Sequence, residues 1–261
     1  AAIAVKIDCE EIPGVYTIPN GYARKSFLLQ TGRTAGDVAA AKEQPGLTKI
    51  VVSKEMERQE HACMEPESAI GYGQNDKVTL YSCTQSPFEI RRMLSKILGL
   101  PEENVRVVAT PLGGGFGSKC DSVIEAQTAL AGYLMQKPVK VTLNRQESLL
   151  LSSKRHAYRP DGKIAYLESK MFSDGGPYTT ESYGTLMTGC LMAGGPYRID
   201  NVKIEGSAIH TNNVLGGAFR GYGINQAALS IETVMDMAAE QLGIDPFELR
   251  RRNGIKAGSY S

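Results

Sequence analysis

Four glycines within five positions constrain this chain more than any other feature. In Leu112-Gly113-Gly114-Gly115-Phe116-Gly117-Ser118-Lys119, a β-branched run at 105–109 leads into glycine interrupted by one aromatic, and a helical pattern follows directly. Residues without Cβ let backbone N–H groups approach a ligand closely, and a helix start at that point favours anionic oxygen. Two familiar loops are excluded by residue identity. A phosphate loop requires Gly-Lys followed by Ser or Thr, whereas the order here is Gly117-Ser118-Lys119-Cys120; a dinucleotide fingerprint beginning at Gly113 requires Gly or Ala where Ser118 stands. A tight strand-to-helix turn with no ligand is the alternative.

Around this loop the pattern predicts β-α-β-α-β order. A strand at 78–81 precedes a helix announced by Ser86 as N-cap, Pro87 at its first position and Glu89 at its third; Phe88, Met93, Leu94 and Ile97 share one face, and Gly99 with Pro101 ends it. After the 105–109 strand, a helix over 121–136 aligns Ile124, Leu130 and Leu134, and Pro138 opens a strand at 139–143. The second half reads differently: strands at 163–172 and 201–210 with Asp161-Gly162 as a turn, a long helix over 225–242, and a short one started by Asp245-Pro246-Phe247-Glu248. An α+β fold, with mixed sheets and packed helices, suits this better than a regular doubly wound sheet. Residues 1–46, a strand-like run at 3–7 followed by Gly, Pro and polar residues, read as a connecting arm, and 47–261 as the domain proper.

Composition narrows the functional classes. The 261 residues carry 29 Lys+Arg and 28 Asp+Glu, well mixed, for a net charge of +1, so no nucleic-acid footprint is expected. No apolar run reaches the roughly 18 residues of a membrane span and no signal-peptide layout opens the chain, which makes the cytoplasm the expected location. The five cysteines (Cys9, Cys63, Cys83, Cys120 and Cys190) are odd in number, without a C-x-x-C pair or a histidine at metal-site spacing. That argues against a disulfide framework, a zinc site or an iron–sulfur cluster in this chain and predicts buried free thiols. Cys120 stands apart because it follows the glycine loop.

Three further segments carry polar groups in unusual settings. Ala218-Phe219-Arg220-Gly221-Tyr222-Gly223 sets an arginine among aromatics and glycines; Arg220 there suits an anionic oxygen and Tyr222 a planar ring, the alternative being a surface arginine in a glycine turn. Thr84-Gln85 ends a strand, so that Gln85 presents an amide beside the next helix. Gln59-Glu60-His61 precedes Glu65-Pro66-Glu67; His61, like His156 and His210, reads as a structural histidine bonded to backbone. No G-x-S-x-G elbow occurs.

In this order, together with Lys154-Arg155-His156 and Leu242-Gly243-Ile244-Asp245-Pro246 leading to Leu249-Arg250, the segments resemble the molybdenum hydroxylases, the family of xanthine dehydrogenase and aldehyde oxidoreductase. The resemblance runs from about Gln59 to Asn253. It implies the first molybdopterin-binding half of such an enzyme, holding a molybdenum–molybdopterin cofactor in its dinucleotide form. Partners are then a second molybdopterin-binding half and iron–sulfur and FAD-bearing subunits or domains. By motif, Gln85, Gly115, Phe116, Gly117 and Arg220 correspond to cofactor contacts, the metal being held through the pterin rather than by side chains. Cys120, Thr188 and Tyr222 correspond to substrate contacts.

Departures from the family pattern sharpen these expectations. Purine-oxidising members carry glutamate where Cys120 stands and arginine where Thr188 falls, and the segment at 158–161 is shorter than usual. The family's general-base glutamate belongs to a later Gly-Glu-Pro segment that these residues do not include, so no catalytic residue is assigned here. The expected reaction is oxidation of a purine, another N-heteroaromatic or an aldehyde at a C–H carbon. A non-catalytic assembly half-domain and an unrelated nucleotide-binding α/β protein are the competing readings. The assignments require Gln85 and Phe116 to lie together beside a polar pocket, at the edge of one βαβ layer.

Overall fold

The computed structural model describes residues 8–155 and 165–257. In chain order the elements are α1 (Ile18–Ala23), β1 (Phe27–Ala35), α2 (Val38–Lys42), β2 (Ser68–Gln74), β3 (Lys77–Ser82), α3 (Pro87–Leu98), β4 (Val105–Ala109), α4 (Glu125–Met135) and β5 (Val139–Thr142). There follow α5 (Arg145–Leu151), β6 (Lys154–Arg155), β7 (Leu167–Gly176), α6 (Ser182–Leu191), β8 (Val202–His210), β9 (Gly216–Gly217), α7 (Ile224–Leu242) and α8 (Pro246–Asn253). The strand-like run at 3–7, His156 and the 158–162 features fall outside the described residues.

Two mixed sheets with packed helices make the architecture, as the α+β reading requires. One sheet has the order β4-β3-β2-β5, with β3 and β4 parallel and the other pairs antiparallel. The predicted β-α-β-α-β succession is present, but β5 returns antiparallel to β2. The other sheet, β1-β8-β7, pairs β7 with β8 in parallel and β1 with β8 antiparallel. Its core joins Leu167 and Met171 of β7, Ile204 and Ala208 of β8, Leu186 of α6 and Ile231, Val234 and Met235 of α7.

Three expectations need correction. The stretch read as a connecting arm carries α1, β1 and α2, and β1 pairs along its length with β8, so it completes the second sheet. Phe-Leu-Leu followed by Gln-Thr-Gly-Arg-Thr shows no apolar alternation, and no residue of this edge strand is fully buried, so neither face demands an apolar series. In α3 the buried residues are Ile90 and Leu94, with Met93 and Leu98 packed beside them, while Phe88 and Ile97 face solvent. In α4 the buried face is Glu125, Thr128, Ala129 and Gly132, and Leu134 is 71% exposed. The small face wins because α4 presses onto β2: a Cβ on Gly132 would lie 2.4 Å from the Gly71 carbonyl oxygen. Leucines cannot fit where two backbones approach that closely.

The termini of the longer helices follow their sequence signals. Gly99 and Gly243 close α3 and α7 in left-handed conformation, and the Asp245 carboxylate accepts from the Phe247 and Glu248 N–H groups at the start of α8.

Candidate functional site

β3 and β4 run parallel, so their carboxyl ends lie side by side, and each feeds directly into one of the singled-out segments: Thr84-Gln85 after β3, the glycine loop after β4. The Gln85 N–H donates to the Lys119 carbonyl (2.8 Å), and the Gly117 N–H donates to Gln85 Oε1 (3.1 Å). Gly115 makes room for that side chain, since a Cβ there would lie 2.4 Å from Gln85 Oε1. Gln85 therefore lies against the residues on either side of Phe116, at the carboxyl ends of β3 and β4. The Gln85 amide nitrogen makes no hydrogen bond among the described residues.

Glu65 and Lys119 pin the start and end of the loop. The Lys119 ammonium is almost fully buried and meets Glu65 Oε2 at 2.6 Å; the same oxygen accepts from the Gly113 N–H at 2.9 Å. Burial disfavours the Glu65 charge, but the Lys119 ammonium and the Gly113 N–H overcome it and hold the carboxyl below the usual range. The Cys63 thiol and the Ser118 hydroxyl both lie on the Gly115 carbonyl.

The expected helix N-terminus at the glycine loop is not there. Residues 116–119 form turns, α4 starts only at Glu125, and the Glu125 carboxylate accepts from the N–H groups of Val123 (2.9 Å) and Ile124 (3.1 Å). The N-cap residue Ile124 gives α4 no side-chain cap, and because the helix starts well beyond Gly117 the loop's own backbone must supply any contact to a ligand. Phe116, with φ 51°, adopts the left-handed region next to Gly117 at φ 105°. A non-glycine residue held there costs about 1–3 kcal/mol, and here it leaves the Phe116 ring exposed.

The second loop repeats this device. Tyr222 (φ 45°) stands between Gly221 (φ 97°) and Gly223 (φ 92°). Arg220 is exposed and forms no ion pair among the described residues. Gln59-Glu60-His61 explains how the loop is held. His61 Nε2 donates to the Ala218 carbonyl at 2.6 Å, and the ring packs on Phe219 with centroids 4.6 Å apart. Burial, against the pull of that carbonyl, lowers the His61 pKa and keeps it a neutral structural histidine, as expected; His210 likewise bonds the Pro177 carbonyl. Glu60 pairs with Lys154, the residue whose strand β6 lies parallel to Gly216-Gly217.

Cys120 is half-buried, its thiol pushed up by burial although the Ser86 hydroxyl opposes, and Tyr222 and Asp121 are close enough to share its electrostatics. Thr188 sits half-buried on α6, one turn beyond Gly184, which Tyr222 covers. Sequence reasoning missed Asp121, Glu181 and Gly184, which lie about Tyr222, Ser153, which lies beside Asp121, and the Arg58–Asp174 pair (2.7 Å) that braces the turn before β9. Only Asp121 offered a signal, through its place next to Cys120. Among the described residues no helix is long and apolar enough to cross a membrane.

A family model described as a molybdopterin cofactor-binding domain matches residues 23–254. The chain is 31% identical over 273 residues to the nicotinate dehydrogenase large molybdopterin subunit of Eubacterium barkeri, covering 98% of this chain and 64% of that protein. It is 31% identical over 282 residues to the xanthine dehydrogenase molybdenum-binding subunit of Escherichia coli, covering 99% of this chain and 37% of that one. Among solved structures, aldehyde oxidoreductase from Desulfovibrio gigas superposes with a TM-score of 0.89 at 29% identity, over 98% of this chain and 30% of the other. The chain thus spans less than two thirds of the length of each.

Proposed function

Because the chain belongs to the molybdopterin cofactor-binding domain family of the molybdenum hydroxylases, we propose that residues 47–261 carry the first half of the pocket for a molybdenum–pterin dinucleotide. The preceding residues, through β1, close the second sheet behind it. The observation that carries this reading is the Gly117–Gln85 hydrogen bond of 3.1 Å, which fastens the glycine loop to the end of β3 while the Gln85 amide nitrogen has no partner among the described residues.

The donor set fits such a group. Its oxo and phosphate oxygens are acceptors, and this edge offers the Gln85 amide nitrogen and the Arg220 guanidinium, neither with a partner among the described residues, beside the exposed Phe116 of a loop whose Gly117 N–H is already committed to Gln85. When bound, the cofactor supplies hydroxylation at an electron-poor C–H carbon and passes electrons onward. The chain's own residues bind and orient. Gln85 and the Gly115–Gly117 backbone fix the metal end, Arg220 neutralises charge on the cofactor, and Cys120, Thr188 and Tyr222 line the substrate side.

Purines, other N-heteroaromatics and aldehydes are the substrate classes proposed, with Tyr222 giving a stacking face. A second molybdopterin-binding half, contributing the general base, and iron–sulfur and flavin subunits or domains complete the enzyme. The test is molybdenum and pterin analysis of the protein purified in its native assembly, with Gln85→Ala beside it. Bound molybdenum that falls in the variant supports the reading; protein of native fold without molybdenum or pterin overturns it and favours a non-catalytic assembly module.

A further inference from the structure

Tyr222 is held, from backbone to hydroxyl, by groups that the cofactor contacts do not use. Its backbone is clamped between two positive-φ glycines, and its N–H donates to the Phe219 carbonyl at 2.7 Å. Gly223 sits where a Cβ would lie 2.2 Å from the Thr185 carbonyl oxygen, so the loop rests directly on α6. Gly184, on the first turn of α6, forms a slot for the phenol: a Cβ there would lie 2.1 Å from the Tyr222 hydroxyl. The hydroxyl itself donates to Glu181 Oε2.

Glu181 is free to take this role. It occupies the N-cap position of α6, but its side chain makes no capping hydrogen bond; only its carbonyl serves the helix, accepting from Thr185 at 3.0 Å. Asp121, at the end of the glycine loop, abuts Glu181 in turn: its buried carboxyl lies near the Glu181 backbone and beside Ser153 and Gly217. A path of contacts therefore leads from the first loop through Glu181 to the second.

Resting on the pocket reading above, we propose that Glu181 is a positioning residue for Tyr222, and that through it the pocket selects planar aromatic substrates by ring face alone. The Tyr222 proton is committed to Glu181 and is not offered to a ligand. What remains for the substrate is the π-face of a ring whose two χ angles are already fixed, so stacking requires little further ordering. Removing the carboxylate frees the ring to turn and weakens aromatic substrates selectively. Glutamine at this position keeps an acceptor oxygen for the phenol.

The experiment places 3-fluorotyrosine at position 222 of the complete protein and follows its fluorine resonance against pH in the parent, Glu181→Ala and Glu181→Gln. The parent should show one sharp line titrating above the ordinary fluorophenol range. Glu181→Ala should broaden it and return it to that range, and Glu181→Gln should keep it sharp. In steady-state assays on the assembled enzyme, Glu181→Ala should raise KM for an N-heteroaromatic substrate about three- to tenfold. The KM of a small aliphatic aldehyde should move less, kcat should change less than KM, and Glu181→Gln should restore most of the loss. A fluorine signal unmoved by Glu181→Ala overturns the anchor whether or not cofactor is bound. Parent enzyme inactive on both substrate classes counts instead against the functional reading and, with it, against substrate selection.

Discussion

Gly117 lies so close to the carbonyl of Ala218 that a Cβ on the glycine would stand 2.5 Å from that oxygen, although the two residues belong to loops far apart in sequence. The glycine loop and the arginine loop are therefore one structural unit. His61 holds the same carbonyl from the other side, at 2.6 Å.

Gly117→Ala should break that unit. Its φ of 105° is strained for alanine and its Cβ meets backbone, so a loss of roughly 2–4 kcal/mol in stability is expected, together with loss of bound molybdenum. Gly114→Ala shares the strain, at φ 107°, but meets nothing nearer than 3.4 Å and should cost less. Denaturant unfolding of the two variants checks the difference.

Gln85→Glu separates two roles of one side chain. Either carboxylate oxygen still accepts from the Gly117 N–H, so stability should hold within about 1 kcal/mol, while the donor toward the cofactor is gone and molybdenum occupancy should fall. Equal molybdenum in parent and variant would refute the assignment of Gln85.

Arg220→Ala should leave the melting temperature almost unmoved, because the guanidinium is exposed and has no ion-pair partner among the described residues. Metal analysis should nevertheless show less molybdenum. Full occupancy and an unchanged rate would make Arg220 a surface residue of a glycine turn.

Glu65→Ala should be among the costlier substitutions of the loop, by about 3–5 kcal/mol, since it strands the buried Lys119 ammonium and leaves the Gly113 N–H without its carboxylate. Adding Lys119→Met to it should recover part of the loss. A double-mutant cycle in urea measures the coupling.

Asp121 gives a pH signature. Burial, aided by the Glu181 charge and opposed by Ser153, raises its carboxyl from 3.8 to about 6. The folded value lies above the unfolded one, so folding favours the protonated form: the contribution is complete below about pH 4 and disappears as pH rises through 6. At pH 7, Asp121→Asn should be more stable than the parent by roughly 1–3 kcal/mol, and below pH 4 the two should converge. Urea midpoints from pH 4 to 8 show whether they do.

What could be read from the sequence was whatever local physics enforces. Pro87, Gly99, Gly243 and Asp245 bound their helices because caps and breakers act within a turn, and the 105–109 run became β4 as its β-branched residues require. The order of the quoted segments identified the family, and the ends of the parallel strands β3 and β4 put Gln85 beside the glycine loop.

Distance-dependent features required the fold. Which face of α4 is buried depends on how near β2 approaches, and β1 was hidden because none of its residues is fully buried, which leaves no face to be marked by apolar alternation. The helix expected at the glycine loop was displaced to Glu125 by the turns before it, and the Glu125 carboxylate folds back onto the N–H groups of Val123 and Ile124 just ahead of the helix. Tyr222 read as a stacking ring, but that its hydroxyl belongs to Glu181 was decided by Gly184, a glycine without any motif. Sequence fixes which groups can hydrogen-bond and which turns can form; only packing brings an acidic side chain on one element to a phenol on another, because that contact is a property of their separation in space.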